Sequence, residues 1–170
     1  MKKMLLLAVI ILASATFAMA QRENKTRFSA GPELGIATGM AGKGWGLGLG
    51  LSGDIEHFFQ ENVSGDFYIG YISFAGKSAG VGIKNKNYTT IPIRVGTRYY
   101  VGNNLHFGAQ LGVGINRIGG TSTTAFAYSP QIGYNFKSKN DKPLDLTFKY
   151  DGYAGNGDFS ALGLRLSLIF

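Results

Sequence analysis

The sequence has 170 residues and a formal net charge of +7, with 26 Gly, 12 Phe and 9 Tyr but only 4 Pro. It contains no Cys, which excludes a lipid-anchored lipoprotein and a disulfide-stapled fold. The length is that of one domain, no stretch reads as a linker, and a composition rich in Gly, Tyr and Phe fits an all-β architecture.

Met1-Lys2-Lys3 is a basic start, Met4 to Leu12 is an unbroken apolar run, and Ala18-Met19-Ala20 is a small-x-small site before polar Gln21. That layout predicts a cleaved secretory signal peptide over residues 1–20. A membrane helix needs about 20 apolar residues, and Ser14 and Thr16 interrupt the run too early. Residues 21–26 read as a short polar tail and 27–170 as one barrel domain. Loss of Lys2 and Lys3 takes the formal charge from +7 to +5.

From Arg27 onward the period is two, the mark of strands with one apolar face. Phe28, Ala30, Pro32, Leu34 and Ile36 oppose Arg27, Ser29, Gly31, Glu33 and Gly35, with a local irregularity or a bulge expected at Pro32. Trp45, Leu47, Leu49, Leu51 and Ile55 oppose Gly46, Gly48, Gly50, Ser52, Asp54 and Glu56. Val63, Phe67, Ile69 and Tyr71 oppose Ser64, Asp66, Tyr68 and Gly70. Ser73 to Asn87 reads as the longest loop. Ile91, Ile93, Val95 and Tyr99 then oppose Thr90, Pro92, Arg94, Gly96 and Arg98, and Gly102-Asn103-Asn104 is a tight turn. The fifth stretch runs from Leu105 to Asn116 and the sixth from Ala125 to Phe136. After a basic turn, Lys137 to Pro143, the seventh sets Leu144, Leu146, Phe148 and Tyr150 against Asp145, Thr147, Lys149 and Asp151. Gly152 to Asp158 is the last loop. The eighth, Ser160 to Phe170, carries Leu162, Leu164, Leu166, Leu168 and Phe170 on one parity and Arg165 on the other.

Eight strands joined only by hairpins predict an antiparallel up-and-down barrel. The faces decide its solvent. Arg27, Glu33, Asp54, Glu56, Asp66, Arg94, Arg98, Asp145, Lys149, Asp151 and Arg165 all share the small-residue face, and only Arg117 departs from it. An eight-stranded barrel has room inside for side chains alone, so the small and charged face fits the interior. The large apolar face matches a hydrocarbon belt, where each Arg or Lys near the midplane would cost about 2–4 kcal/mol. The fold expected is therefore an eight-stranded transmembrane β-barrel with a nearly neutral interior of five basic and six acidic residues, paired to survive low dielectric. Symmetric hairpins would set Arg94 and Arg98 opposite Gly112 and Gly108, and Asp145 opposite Arg165.

With both chain ends in the periplasm, the outward loops carry Lys43, Lys77, Lys84, Lys86 and Arg117 against Asp158, a basic set suited to the phosphates of lipopolysaccharide or simply to solubility. Trp45, Tyr71, Phe126, Tyr128 and Tyr150 would form the outer aromatic girdle; Phe28, Tyr99, Phe107, Tyr134, Phe136 and Phe170 would form the inner one.

Gly48-Leu49-Gly50-Leu51-Ser52-Gly53 matches the dinucleotide fingerprint, but a strand period runs straight through it where a helix should begin. His57 and His106 fall on different strands near the expected periplasmic rim, with no His or Cys cluster of metal-ligand spacing. They read as structural or rim residues. No catalytic residue, metal ligand or cofactor is expected.

The terminal Leu/Phe pattern of Leu162, Leu164, Leu166, Leu168 and Phe170 resembles the assembly signal of bacterial outer-membrane barrels. With the eight alternating stretches and the Tyr88 to Arg117 hairpin, residues 27–170 resemble the OmpA- and OmpX-like, porin-family barrels. The resemblance implies a monomer in a Gram-negative outer membrane, inserted by the barrel-assembly machinery, with lipid and lipopolysaccharide as neighbours and no nucleic-acid partner. It points to a non-enzymatic protein of envelope structure or surface interaction. A narrow channel or portal for small or apolar solutes is the alternative, and a lipid-modifying enzyme a further one.

Overall fold

Strands with a period of two and opposed faces need an edge partner at both sides, and closure supplies it. The computed structural model describes residues 26–80, 83–102, 104–136, 143–155 and 158–170. The expected signal peptide, residues 21–25 of the polar tail, Asn103 and residues 137–142 of the basic turn lie outside them. The strands are β1 (Thr26–Thr38), β2 (Trp45–Gln60), β3 (Val63–Gly76), β4 (Ser78–Gly80), β5 (Ile83–Lys84), β6 (Tyr88–Val101), β7 (Leu105–Ile118), β8 (Thr121–Phe136), β9 (Leu144–Ala154) and β10 (Phe159–Ile169), with a short helix α1 (Ala41–Gly44) before β2. Eight of them close in the order β1-β10-β9-β8-β7-β6-β3-β2, while β4 and β5 form a separate ribbon in the β3–β6 connection. Every pair is antiparallel.

The inversion of faces is plain from exposure. Arg94 is 1% exposed, Lys149 2% and Arg98 4%, whereas Leu51 is 68% exposed and Leu49 and Val95 are each 61%. A wall of half-bare Leu, Ile, Val and Phe is stable in lipid, and the ion pairs fill the space that a soluble barrel gives to its apolar core.

The β6–β7 register is the one expected, with Arg94 opposite Gly112 and Arg98 opposite Gly108. In the last hairpin Arg165 lies opposite Thr147 and Asp145 opposite Ser167. The expected Asp145–Arg165 pairing is thus off by two residues, because the turn centres one position later than Gly155. At Pro32 the pairing of β1 with β10 skips Gly31 and Pro32, but the register passes unshifted from Ala30–Leu168 to Glu33–Arg165. A bulge is unnecessary: Pro32 forgoes its ladder bond, and Gly31 admits the opposing backbone, where an added Cβ would meet Ser167 Cα at 2.6 Å. Within the barrel the register shifts lie in the β2–β3 pairing, between Trp45 and Gly48 and between Phe58 and Gln60. The expected loop at Ser73 also begins late, since β3 continues to Gly76.

Candidate functional site

The lumen fills in three layers. Nearest the turns that join β2 to β3 and β6 to β7, Arg98 from β6 faces three carboxylates: Asp54 at 2.7 Å, Asp66 at 3.4 Å and Glu56 at 3.5 Å. Glu56 and Asp66 have further donors, whereas Asp54 relies on Arg98. Ser64 Oγ and Tyr100 Oη donate to Glu56 at 2.5 and 2.6 Å, and Gln110 Nε2 donates to Asp66. Asp145 accepts from His106 Nε2 at 2.6 Å and from Thr147 Oγ1 at 2.5 Å. Arg27 stands at the mouth of this layer, its guanidinium 4.4 Å from the centre of the Phe58 ring. Beside it a small cavity is lined by Arg27, Arg98, Asp54, Glu56 and Asn135 among others.

The middle layer is organised by Tyr68. Its hydroxyl donates to both Glu33 oxygens at 2.8 and 2.9 Å and accepts from Lys149 Nζ at 3.0 Å. Lys149 also reaches Glu33 directly at 2.9 Å and Asp151 at 3.4 Å. Arg94 lies 4.3 Å over the Tyr68 ring and pairs with Asp151 at 2.5 Å. Arg165 donates to Ser52 and Ser29, each at 2.9 Å, and its Nε stands 3.7 Å from Glu33. Ion pairs this dry are costly to form and costlier to break singly.

The third layer, under the loops, is aromatic. Tyr88 and Phe159 stack at 3.9 Å, Phe74 meets Phe159 edge-on at 4.8 Å, and Trp45 packs on both Tyr88 and Phe159. Small residues make the room: Ala37, Ala125, Ala127 and Ala161 line the cluster, and a Cβ at Gly48 would come within 2.6 Å of the Phe74 ring. Buried Ala41 of α1 joins it from above. These rings correct two expectations. Trp45 is not in the outer girdle, because the shift between Trp45 and Gly48 turns it inward, where its indole N–H donates to the Lys86 carbonyl at 3.0 Å. Phe74 and Tyr153 are inward strand residues rather than loop residues.

Of the expected basic loop set, Lys43 lies in α1, Lys77 and Lys86 flank the β4–β5 ribbon, Lys84 is in β5, and Arg117 is near the end of β7. All five belong to the aromatic end of the barrel. Lys77 Nζ donates to the Gly42 carbonyl at 2.6 Å, joining two of the loops. Leu162, Leu164, Leu166 and Leu168 are exposed on the outer wall, and the Phe170 N–H donates to the Phe28 carbonyl at 2.7 Å, beside the closing seam. The Gly48 to Gly53 motif lies wholly within β2. Among the described residues no group of three or more His, Asp or Glu is placed to hold a metal ion.

A profile of the family described as outer membrane protein beta-barrel domain matches residues 4–170. The chain belongs to this outer-membrane β-barrel family. No curated protein matches it. Its fold is similar to that of Neisserial surface protein A, at 12% identity and a TM-score of 0.62, over 87% of this chain and 98% of that one. Ail, the attachment invasion locus protein of Yersinia pestis, solved with the heparin analogue sucrose octasulfate, matches at 13% identity and a TM-score of 0.59, over 88% and 100%. OprG from Pseudomonas aeruginosa matches at 9% and 0.51, over 86% and 95%.

The protein is therefore an integral barrel of a Gram-negative outer membrane, and the apolar wall is its lipid face. Reading parity strand by strand places the charged residues of this barrel inside it. The two histidines divide between the readings given them: His106 is structural, fully buried against Asp145 within the charge network, whereas His57 stays at the rim beside Thr26 and Phe59. The inward position of His106 follows from the alternation of Leu105, His106 and Phe107 along β7.

Proposed function

We propose that this outer-membrane barrel is a non-enzymatic surface protein that acts through its basic loop end, as a monomer with both chain ends in the periplasm. The observation that carries the reading is the filled lumen. An aromatic cluster lies over two layers of ion pairs, so the described residues leave solutes no open path and the accessible chemistry is at the loops. There Lys43, Lys77, Lys86 and Arg117 are exposed, and Asp158, a carboxylate at the same end, accepts the Gly155 N–H at 3.2 Å. Exposed cations without matching anions attract phosphate and sulfate groups. The polyanion held by the similarly folded Ail supports that choice of partner, with lipopolysaccharide phosphates the nearest source in the membrane.

Leu162, Leu164, Leu166, Leu168 and Phe170 serve as the signal read by the barrel-assembly machinery, after export by the signal peptide at residues 1–20. The test pairs two measurements on the refolded protein. Planar-bilayer recordings should show no discrete conductance, and sucrose octasulfate should bind with an affinity that falls steeply with salt. Discrete openings would establish the narrow channel instead. Binding indifferent to replacement of Lys43 and Lys77 by Ser would remove the loop end from the mechanism.

A further inference from the structure

The outward face of the barrel strands carries one charged residue among those described, Arg117. Its surroundings are not the apolar wall found elsewhere. The ladders set Ser73 of β3 beside Thr89 of β6, Thr89 beside Arg117 of β7, and Arg117 beside Ser122 of β8. Ser73, Thr89 and Arg117 are flanked by buried inward residues, Ile72 and Phe74, Tyr88 and Thr90, and Asn116, and Ser122 has the parity opposite to buried Ala125 and Ala127 of β8. The four form one transverse row of hydroxyl, hydroxyl, guanidinium and hydroxyl across four strands, spanning about 14 Å at the usual strand spacing. Thr89 Oγ1 donates to Ser73 Oγ at 3.3 Å, which fixes that pair. One step toward the loops, the exposed Lys86 lies along Gly119, where an added Cβ would meet its Cδ at 2.6 Å and its Nζ at 3.2 Å. Neither Arg117 nor Lys86 forms an ion pair with a described residue. One step toward the membrane centre, β3, β6 and β7 present Tyr71, Ile91 and Ile115, then Ile69, Ile93 and Val113, while β8 presents Thr124 and then Phe126.

We propose that this row, topped by Lys86, is a lateral docking site for a phosphate of the lipopolysaccharide lipid anchor, whose acyl chains lie along the Ile-rich wall beneath it. The chemistry selects an amphiphile. Two cations with no ion-pair partner among the described residues, together with three hydroxyls, match a phosphate, guanidinium and phosphate being a strong hydrogen-bonded pair. The bordering aliphatic surface matches its chains. A charge on the lipid side costs little only near the interface, which is where Arg117 stands. The inference rests on the proposed outward orientation of the loop end and makes that reading specific to one wall.

The test uses the full barrel, refolded in detergent and presented in turn with purified lipid A, phosphatidylglycerol and inorganic phosphate, with bound molecules counted by native mass spectrometry. Wild type should retain lipid A, and the double variant Arg117→Ser, Lys86→Ser should retain it at least ten-fold less, while Arg117→Lys keeps part of the binding. Heat-modifiable gel migration of each variant verifies its fold. Undiminished retention in the folded double variant overturns the site. Retention of phosphatidylglycerol equal to that of lipid A, or competition by inorganic phosphate, overturns the assignment to this lipid. In intact cells, an impermeant maleimide should label Lys43→Cys, in a chain with no other thiol. Failure of that labelling refutes the outward loop end itself; labelling without lipid A retention refutes the lateral site alone.

Discussion

Replacing Arg98 by Met tests whether the lumen is held by paired charge or by packing. Arg98 is 4% exposed and is the cation in salt-bridge range of Asp54, Glu56 and Asp66. Its removal leaves three carboxylates in a dry interior with hydroxyl and amide donors only. Breaking a buried pair from one side costs about 3–5 kcal/mol, and R98M should fall in that range. Arg94 is the internal control, being equally buried and at 2.5 Å from Asp151. Asp151 keeps Lys149 at 3.4 Å and the Ser129 hydroxyl at 2.8 Å when Arg94 is lost, so R94M should cost only the charged hydrogen bond, about 1.5–3 kcal/mol. Adding Asp54→Asn to R98M should recover part of the loss, a coupling of about 1–3 kcal/mol between touching residues. The assay is urea unfolding in lipid vesicles followed by the emission of Trp45, the one tryptophan; m-values must be equal across the set. An R98M variant no less stable than R94M would refute the reasoning, because packing would then outweigh charge pairing.

Tyr68→Phe removes the hydroxyl between Glu33 and Lys149 but leaves their direct 2.9 Å contact, so a loss of about 1–2 kcal/mol is expected in the same urea assay. Phe159→Ala opens the aromatic layer and should cost about 3–5 kcal/mol, with a red shift of Trp45 emission. Planar bilayers should still show no conductance from it, since both charged layers remain. Phe170→Ala should lower the amount inserted into outer membranes of growing cells, and its urea midpoint after refolding should stay near that of wild type; normal membrane levels would count against the assembly role.

Inside and outside were legible because each strand repeats the same alternation, so one misjudged residue does not overturn a face. Contacts across hairpins were legible only as far as the turn was. Gly102 and Asn104 bracket a short turn and give Arg94–Gly112 correctly, while the longer β9–β10 connection hides a displacement that moves Arg165 away from Asp145. The acidic partner of Arg165 is Glu33, opposite it across the closing seam. Two residues that far apart in sequence meet by the stagger of the closed barrel, which no local pattern encodes. The aromatic layer was missed for another reason. Continued past Tyr71, the parity count puts Ile72 and Phe74 inside, but the rule that small and charged residues face inward argues for ending the strand at that point. The rule fails where the lumen nears the loops, because apolar rings exclude water there and the ion pairs lie deeper. Trp45 was lost to a single-residue shift, which reverses every side chain beyond it.

The charge layers are not neutral separately, and this ties the lumen together. The layer near the turns holds Asp54, Glu56, Asp66 and Asp145 against Arg98 and Arg27, with His106 beside Asp145; the middle layer holds Glu33 and Asp151 against Arg94, Lys149 and Arg165. Each layer therefore draws on the opposite excess of the other, and a charge removed from either leaves both less balanced. Substitution inside is constrained by this coupling, whatever the protein binds. Arg117, Lys43, Lys77 and Lys86 stand outside it, exposed and remote from the pairs, where replacements ordinarily change stability by about 0.5 kcal/mol or less. A barrel arranged this way can vary its recognition at the rim and on the outer wall without disturbing its interior. Lumen variants should therefore register as stability and rim variants as binding.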